Sequence, residues 1–256
     1  MTASRRIYGL HAVRGVLARR PEAITAAKAL EGSDEGRLAE LVRELQSRGV
    51  EVERVARREL DRLCEGGTHQ GIVVEAAARA EFSLSTFEEL VVDRGPRLRL
   101  LVLDGVEDPR NLGACLRTAD ATAIDAVVVP RSRSARLTPA ALKAATGAAE
   151  TVPVLQAPNL ARVLRWLKEA GVRLVGADAD GRSSLFDVAL APPLALVLGG
   201  EGRGLRRLTR DLCDDLVSIP MHGTVESLNV SVAAAVMMYE LTRQSPAERL
   251  GEGGRA

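Results

Sequence analysis

"LVLGGEGRGL", residues 196–205, is an apolar run that empties into four glycines. It reads as a buried strand delivering Gly199 and Gly200 to its carboxyl end, where missing side chains let a ligand approach the backbone. The dinucleotide-binding fingerprint places G-x-G-x-x-G between a strand and a helix. Gly200 and Gly202 supply its first half, but Leu205 stands where the third glycine belongs. No hydride-transfer site is evident either, so an NAD-linked oxidoreductase is a poor reading, and the neighbours of this strand decide the fold.

From residue 98 onward the pattern alternates regularly. Strand-like "LRLLVLD", "AVVVP", "VPVL", "VRLVGAD", "LALVLGG" and "LVSIPM" are separated by helical "NLGACLRTADATA", "TPAALKAATGAAE", "NLARVLRWLKEAG" and "GLRRLTRDLCD". A last helix runs through "ESLNVSVAAAVMMYELTRQ", residues 226–244. Apolar, β-branched strands alternating with helices predict an α/β domain: a mostly parallel sheet with helices on both faces. Ligands of such sheets sit beyond the carboxyl ends of the strands. Upstream, residues 1–78 form a smaller α/β unit. "IYGLHAVRGVLARRP" is helical up to Pro21, "GRLAELVRELQSRG" is amphipathic and "RRELDRLC" is a short helix, with strands at "ITAAKALEG", "VEVERVA" and "GIVVEAA". Residues 79–97 read as a linker, 98–245 as the larger domain and 246–256 as a disordered tail.

Thirty-five Lys and Arg against 34 Asp and Glu give a net charge of +1, so no bulk attraction draws the chain to a polyanion. Almost all the cations are arginines, the better bidentate phosphate ligand, although a GC-rich genome gives the same bias. Cys64, Cys115 and Cys213 are odd in number and far apart, which suits a reducing compartment. His11, His69 and His222 are equally scattered, and no metal is expected. Neither a signal peptide nor a membrane span is evident, which predicts a cytoplasmic protein. With only six aromatic residues, base stacking on an aromatic platform is a poor candidate for RNA binding.

Three stretches end strands with unusual residues. In "LDGVEDPRNLGACLRTAD", 103–120, Asp108 and Pro109 make a turn and Asn111 can cap the helix that follows. Leu112, Leu116 and Ala119 share one helical face; Arg117 lies about a hundred degrees off it, as a snorkelling side chain or one that looks into the crevice. In "LALVLGGEGRGL", Glu201 stands at the mouth of a helix, where it complements the dipole or serves a site. In "SIPMHGTVESLNVSVAAAVMMYEL", 218–241, the helix from 226 is apolar nearly all round and needs cover from its own domain and from a second subunit. Ser227 and Asn229 at its entry need polar partners, as caps or as site residues.

Together these three stretches, in this order and spacing, resemble the signature motifs of the SpoU (SPOUT) family of RNA 2′-O-ribose methyltransferases. "IYGLHAV" and "HQGIVVEA" in the N-terminal unit are further similar to the ribosomal-protein-like RNA-binding domain of members that methylate guanosine riboses in 23S rRNA. The resemblance implies a trefoil knot at the C-terminal end of the catalytic domain, S-adenosylmethionine as cofactor, and a homodimer. It places Gly199, Ile219 and Leu228 on the cofactor, with Gly200, Gly202 and Met221 nearby, the glycines making room for a bent adenosyl group.

The same resemblance gives Arg117 the role of base, an awkward one because arginine is effectively always protonated; gripping the adjacent phosphate and stabilising the developing alkoxide suits a guanidinium better. Asn111 would orient the ribose or the arginine, Glu201 would fix a loop or a substrate amide, and Ser227 and Asn229 would close the site. Arg203, Arg206, Arg207 and Arg210 are RNA contacts or simply a solvated helix face. A tRNA or other-rRNA methyltransferase, and a ribosome-assembly factor without turnover, remain alternatives.

Overall fold

The computed structural model describes residues 4–33, 35–64, 67–77 and 82–245. The chain divides into two units, residues 1–81 with 146–151, and the remainder. The tail 246–256 lies outside the described residues, as do 78–81 around the expected domain boundary.

The first unit contains β1 (Ser4–Tyr8), α1 (Leu10–Arg19), β2 (Ile24–Leu30), α2 (Gly36–Ser47), β3 (Val52–Val55), α3 (Arg57–Leu63) and β4 (Ile72–Ala77). Its sheet runs β1-β4-β2-β3, antiparallel except for β2 with β3. Val13, Val16 and Leu17 of α1 and Leu41, Val42 and Leu45 of α2 recur at helical spacing and bury against it. The helix expected from residue 7 starts later, because Ile7 and Tyr8 pair with Val74 and Val73 in the sheet. Gly9, at φ 91°, makes the break between strand and helix.

The second unit contains α4 (Leu84–Arg94), β5 (Arg99–Asp104), α5 (Pro109–Ala121), β6 (Ala126–Pro130) and α6 (Pro139–Ala145). After the short α7 (Ala148–Thr151), which clusters with the first unit, come β7 (Val154–Ala157), α8 (Leu160–Glu169), β8 (Arg173–Ala177) and β9 (Ser183–Ser184). β10 (Leu194–Gly199), α9 (Arg207–Leu212), β11 (Asp215–Ser218) and α10 (Val230–Gln244) complete it. All seven strands are parallel, in the order β7-β6-β5-β10-β8-β11-β9. Every residue of β5 is buried, and so are Leu194–Leu198 of β10, as two covered faces require. On α8, Leu160, Val163, Leu164 and Leu167 form one buried stripe, each side chain contributing about 1.5–3 kcal/mol.

Four details depart from the sequence pattern. The expected linker 79–97 holds α4, capped by Ser83 and anchored by the fully buried Phe87, so a polar composition concealed one apolar stripe. The helix expected over 138–150 breaks at Thr146 (φ 50°) and Gly147 (φ 92°). α5 is capped by Asp108, whose carboxylate accepts from the Arg110 amide at 2.8 Å, and Asn111 lies inside the helix. α10 begins at Val230, not 226, with Asn229 as its cap.

The winding of the sheet places the crevice. The chain leaves β5 through α5 toward β6 and the β7 edge, whereas it leaves β10 through α9 toward β11 and the opposite edge. The direction therefore reverses between β5 and β10, and the space beyond their carboxyl ends is where such folds bind ligands.

Candidate active site

Asp104, the last residue of β5, sits in register with Gly199, the last of β10. The loops leaving the two strands lie against each other. The Gly200 amide donates to the Asp104 carbonyl at 3.0 Å, and Gly204 folds back to donate to the Gly200 carbonyl at 3.1 Å. A Cβ on Gly199 would strike the Gly204 backbone, and one on Gly200 the Gly105 carbonyl. The room made by these two glycines is thus filled, on the Cβ side, by the chain's own backbone. Gly202 (φ 74°) and Gly204 (φ 61°) turn the loop, and no atom stands near their absent Cβ positions.

The turn carries Glu201 to Asn111 in the first turn of α5, and the Asn111 amide donates to the Glu201 carboxylate. Asn229 joins from the start of α10. Its Nδ2 lies 3.1 Å from Glu201 Oε1 and 3.2 Å from Asn111 Oδ1, while its own Oδ1 accepts from the Ser231 amide at 2.9 Å and the Ser231 hydroxyl at 2.6 Å. Every donor faces an acceptor, and the carboxylate strengthens the bonds it receives. Asn229 is both cap and network member. Glu201 belongs to this network rather than to the mouth of α9, which begins only at Arg207.

Asn111, Glu201 and Asn229, from three separate segments, therefore meet. Arg117 stands apart: six residues along α5 is about 9 Å of rise and about 120° of turn from Asn111. It is exposed and makes no hydrogen bond or ion pair among the described residues. Ser227 is likewise exposed, two residues before Asn229. Ile219, Met221 and Leu228 are half-buried apolar residues on the segment joining β11 to α10, and Gly199 and Gly200 are half-buried at the end of β10. β8 separates β10 from β11, so the two carboxyl ends lie two strand spacings apart, about 10 Å.

Sequence reasoning missed Asp104. Its carboxylate is buried, accepts from the Arg206 amide at 3.2 Å and pairs with Arg206 Nη1 at 3.2 Å. The signal was an acid ending a wholly apolar strand, "LRLLVLD". Of the four arginines that follow the glycine loop, Arg206 is held by Asp104 and Arg210 by Asp178 at 2.9 Å; Arg207 lies 3.9 Å from Asp211. Arg203 is exposed, with no ion pair among the described residues. Burial pushes the Cys115 and Cys213 thiols up to about 12 and Cys64 up to about 11, so none supplies a thiolate near neutral pH. No group of three His, Cys, Asp or Glu among the described residues is placed to hold a metal ion. No helix among them is long and apolar enough to cross a membrane.

The sequence model of the SpoU rRNA Methylase family matches residues 99–239, more than half of the chain, with Asn111, Glu201 and Asn229 all inside the match. The chain belongs to the SpoU rRNA methylase family. Residues 6–82 match a second model, RNA 2′-O ribose methyltransferase substrate binding. The 23S rRNA (guanosine-2′-O-)-methyltransferase RlmB of Haemophilus influenzae is 47% identical over 242 residues, 94% of this chain and 98% of that protein. Among solved structures, one titled RNA 2′-O ribose methyltransferase is 26% identical with a TM-score of 0.73, covering 95% of this chain and 89% of its own. The SpoU methyltransferase AviRb of Streptomyces viridochromogenes, solved with AdoMet, shares the fold at 24% identity, with a TM-score of 0.72 over 94% and 90% of the two chains. The residues that meet come one from each of the three stretches that end strands with unusual residues.

Proposed function

We propose that this SpoU protein transfers a methyl group from S-adenosylmethionine to the 2′-hydroxyl of a guanosine ribose in 23S rRNA. The observation that carries the reading is the Asn111–Glu201–Asn229 network at the reversal point of the sheet, in a chain aligned almost end to end with a guanosine-2′-O-methyltransferase. When bound, the cofactor supplies an electrophilic sulfonium methyl. The carboxyl ends of β10 and β11 lie about 10 Å apart, and the segment that follows β11 carries the half-buried apolar Ile219, Met221 and Leu228, a setting that would suit the cofactor's nucleoside. In this reading Gly199, Ile219 and Leu228 hold it mainly by backbone groups, with Gly200, Gly202 and Met221 nearby and a trefoil knot at the C-terminal end of the domain.

The ribose oxygen must be held in line with the methyl carbon and must lose its proton, so positioning supplies much of the rate. Arg117, exposed and unengaged by carboxylates among the described residues, grips the phosphate next to the target and steadies the developing alkoxide. Asn111 is the orienting group, and Glu201 locks the glycine loop to α5. Ser227 and Asn229 close the site at the start of α10. The unit matched by the substrate-binding model enlarges the RNA footprint. A second copy of the chain covers the exposed Val232 and Tyr239 of α10 to give a homodimer.

The test is methyl transfer from labelled cofactor to a 23S rRNA transcript, followed by nucleoside mapping. We expect 2′-O-methylguanosine, and loss of activity in Arg117→Lys with cofactor affinity retained, because a point charge does not reproduce the guanidinium fork. Methylation of a base instead of a ribose, or near wild-type single turnover by Arg117→Ala, overturns the reading.

A further inference from the structure

The segment after β6, "RSRSARL" at 131–137, lies outside the Asn111–Glu201–Asn229 network. We propose that it is a phosphate-binding arm of the active site, in which Arg133 and Arg136 hold the RNA backbone beside the methylated ribose. The proposal rests on the RNA-methyltransferase reading and adds residues to it.

Three observations carry it. The first is place: β6 is the parallel neighbour of β5, so residue 131 emerges at the same end of the sheet as Gly105 and Gly199. The second is charge. Residues 126–149 contain Arg131, Arg133, Arg136 and Lys143 and no carboxylate, in a chain whose net charge is only +1. Arg133 and Arg136 are exposed, and no carboxylate among the described residues engages either. Their forks are therefore available to phosphate oxygens, a geometry that guanidinium matches bidentately.

The third is rigidity, which a merely solvated loop does not need. The Ala135 amide donates to the Val106 carbonyl at 2.7 Å, and the Ser134 hydroxyl donates to the same carbonyl at 3.3 Å. Arg206, anchored on buried Asp104, donates from Nη2 to the Arg133 carbonyl at 3.3 Å. Arg133 itself is held at φ 55°, in the left-handed region that a side chain avoids. Strain of this kind persists where the surroundings enforce it, and it gathers at binding sites. The arm is thus clipped to the loop after β5, which leads into the helix carrying Asn111 and Arg117.

The test measures RNA affinity against salt for the full-length protein, with a 23S rRNA transcript and a shuffled transcript of equal length. Removing two phosphate contacts in Arg133→Ala/Arg136→Ala lowers the slope of log affinity against log salt by about 1.4–1.8 and weakens both RNAs alike. Affinity for S-adenosylmethionine and Tm stay at the wild-type values. The Lys/Lys variant keeps the slope, because the charge remains, while affinity falls. Arg133→Gly raises Tm by relieving the left-handed backbone and still loses one contact's share, about 0.7–0.9 of slope. An unchanged slope in the double-alanine variant, or a slope change that comes only with lost cofactor binding, overturns the proposal. Binding slopes are read without turnover, so a wild-type protein that binds RNA steeply but methylates nothing refutes the enzymatic reading alone.

Discussion

Replacing Asn111 by Asp tests the network with almost no change of shape. In the native protein the Asn111 amide donates to the Glu201 carboxylate; in Asn111→Asp two carboxylates face each other. Like charges about 3 Å apart repel by about 5 kcal/mol at an effective dielectric of about 20 and by about 1.4 kcal/mol in bulk water. Asn111 is buried and Glu201 exposed, so an intermediate value of about 3 kcal/mol applies, and this repulsion favours retention of one proton on the facing pair in the folded variant. The folded variant then binds a proton more tightly than the unfolded chain. Its stability is therefore intact in acid, where the pair keeps its proton, and falls as pH rises and the proton is lost. At about 2–4 °C per kcal/mol, Tm of Asn111→Asp should lie about 6–12 °C below wild type at pH 8 and progressively less far below as the pH is lowered to 4. Thermal unfolding across this range is the assay, and adding Glu201→Gln should remove the pH dependence. A Tm difference that stays constant from pH 4 to pH 8 would mean that Asn111 and Glu201 are not in contact.

Two further predictions concern the glycine loop and α10. Gly200→Ala drives a methyl group into the Gly105 carbonyl, backbone that cannot swing aside; we expect about 1–3 kcal/mol of destabilisation together with loss of cofactor affinity by calorimetry. Gly202→Ala meets open space and pays only for φ 74°, about 1–2 kcal/mol, with cofactor affinity retained; the reverse order of effects on affinity sinks the argument. On α10, Val232→Glu/Tyr239→Glu should sediment as a monomer with unaltered secondary structure, since both side chains are exposed, whereas a monomeric wild type at micromolar concentration removes the homodimer from the proposal.

The parallel sheet was legible because its strands are apolar on both faces and its helices carry apolar stripes at a spacing of three and four; neither pattern depends on distant partners. β1 was hidden because "IYGLHAV" continues the apolar spacing of α1 across Gly9, and only pairing with Val73 and Val74, residues far along the chain, makes Ile7 and Tyr8 a strand. α4 was hidden by its polar outer face. β9 is two residues long and owes its existence to the edge of β11. In each case the deciding contact is non-local, and a window of sequence does not contain it.

Of the candidate site, the sequence singled out Glu201 and Asn229, but each also had a local explanation, dipole or cap, that the sequence left open. Asn229 makes both kinds of contact at once, since its side-chain amide caps α10 through Oδ1 and donates to Asn111 and Glu201 through Nδ2. Asn111 is more instructive. Proline is favoured at the first helical position, so Pro109 assigns the cap to Asp108 and places Asn111 inside the helix, where asparagine is a poor helix former. A residue that weakens its own helix, when the capping role is already filled, is there for what its side chain holds. In this protein the Asn111 side chain holds Glu201, the contact that the pH dependence of Asn111→Asp stability measures.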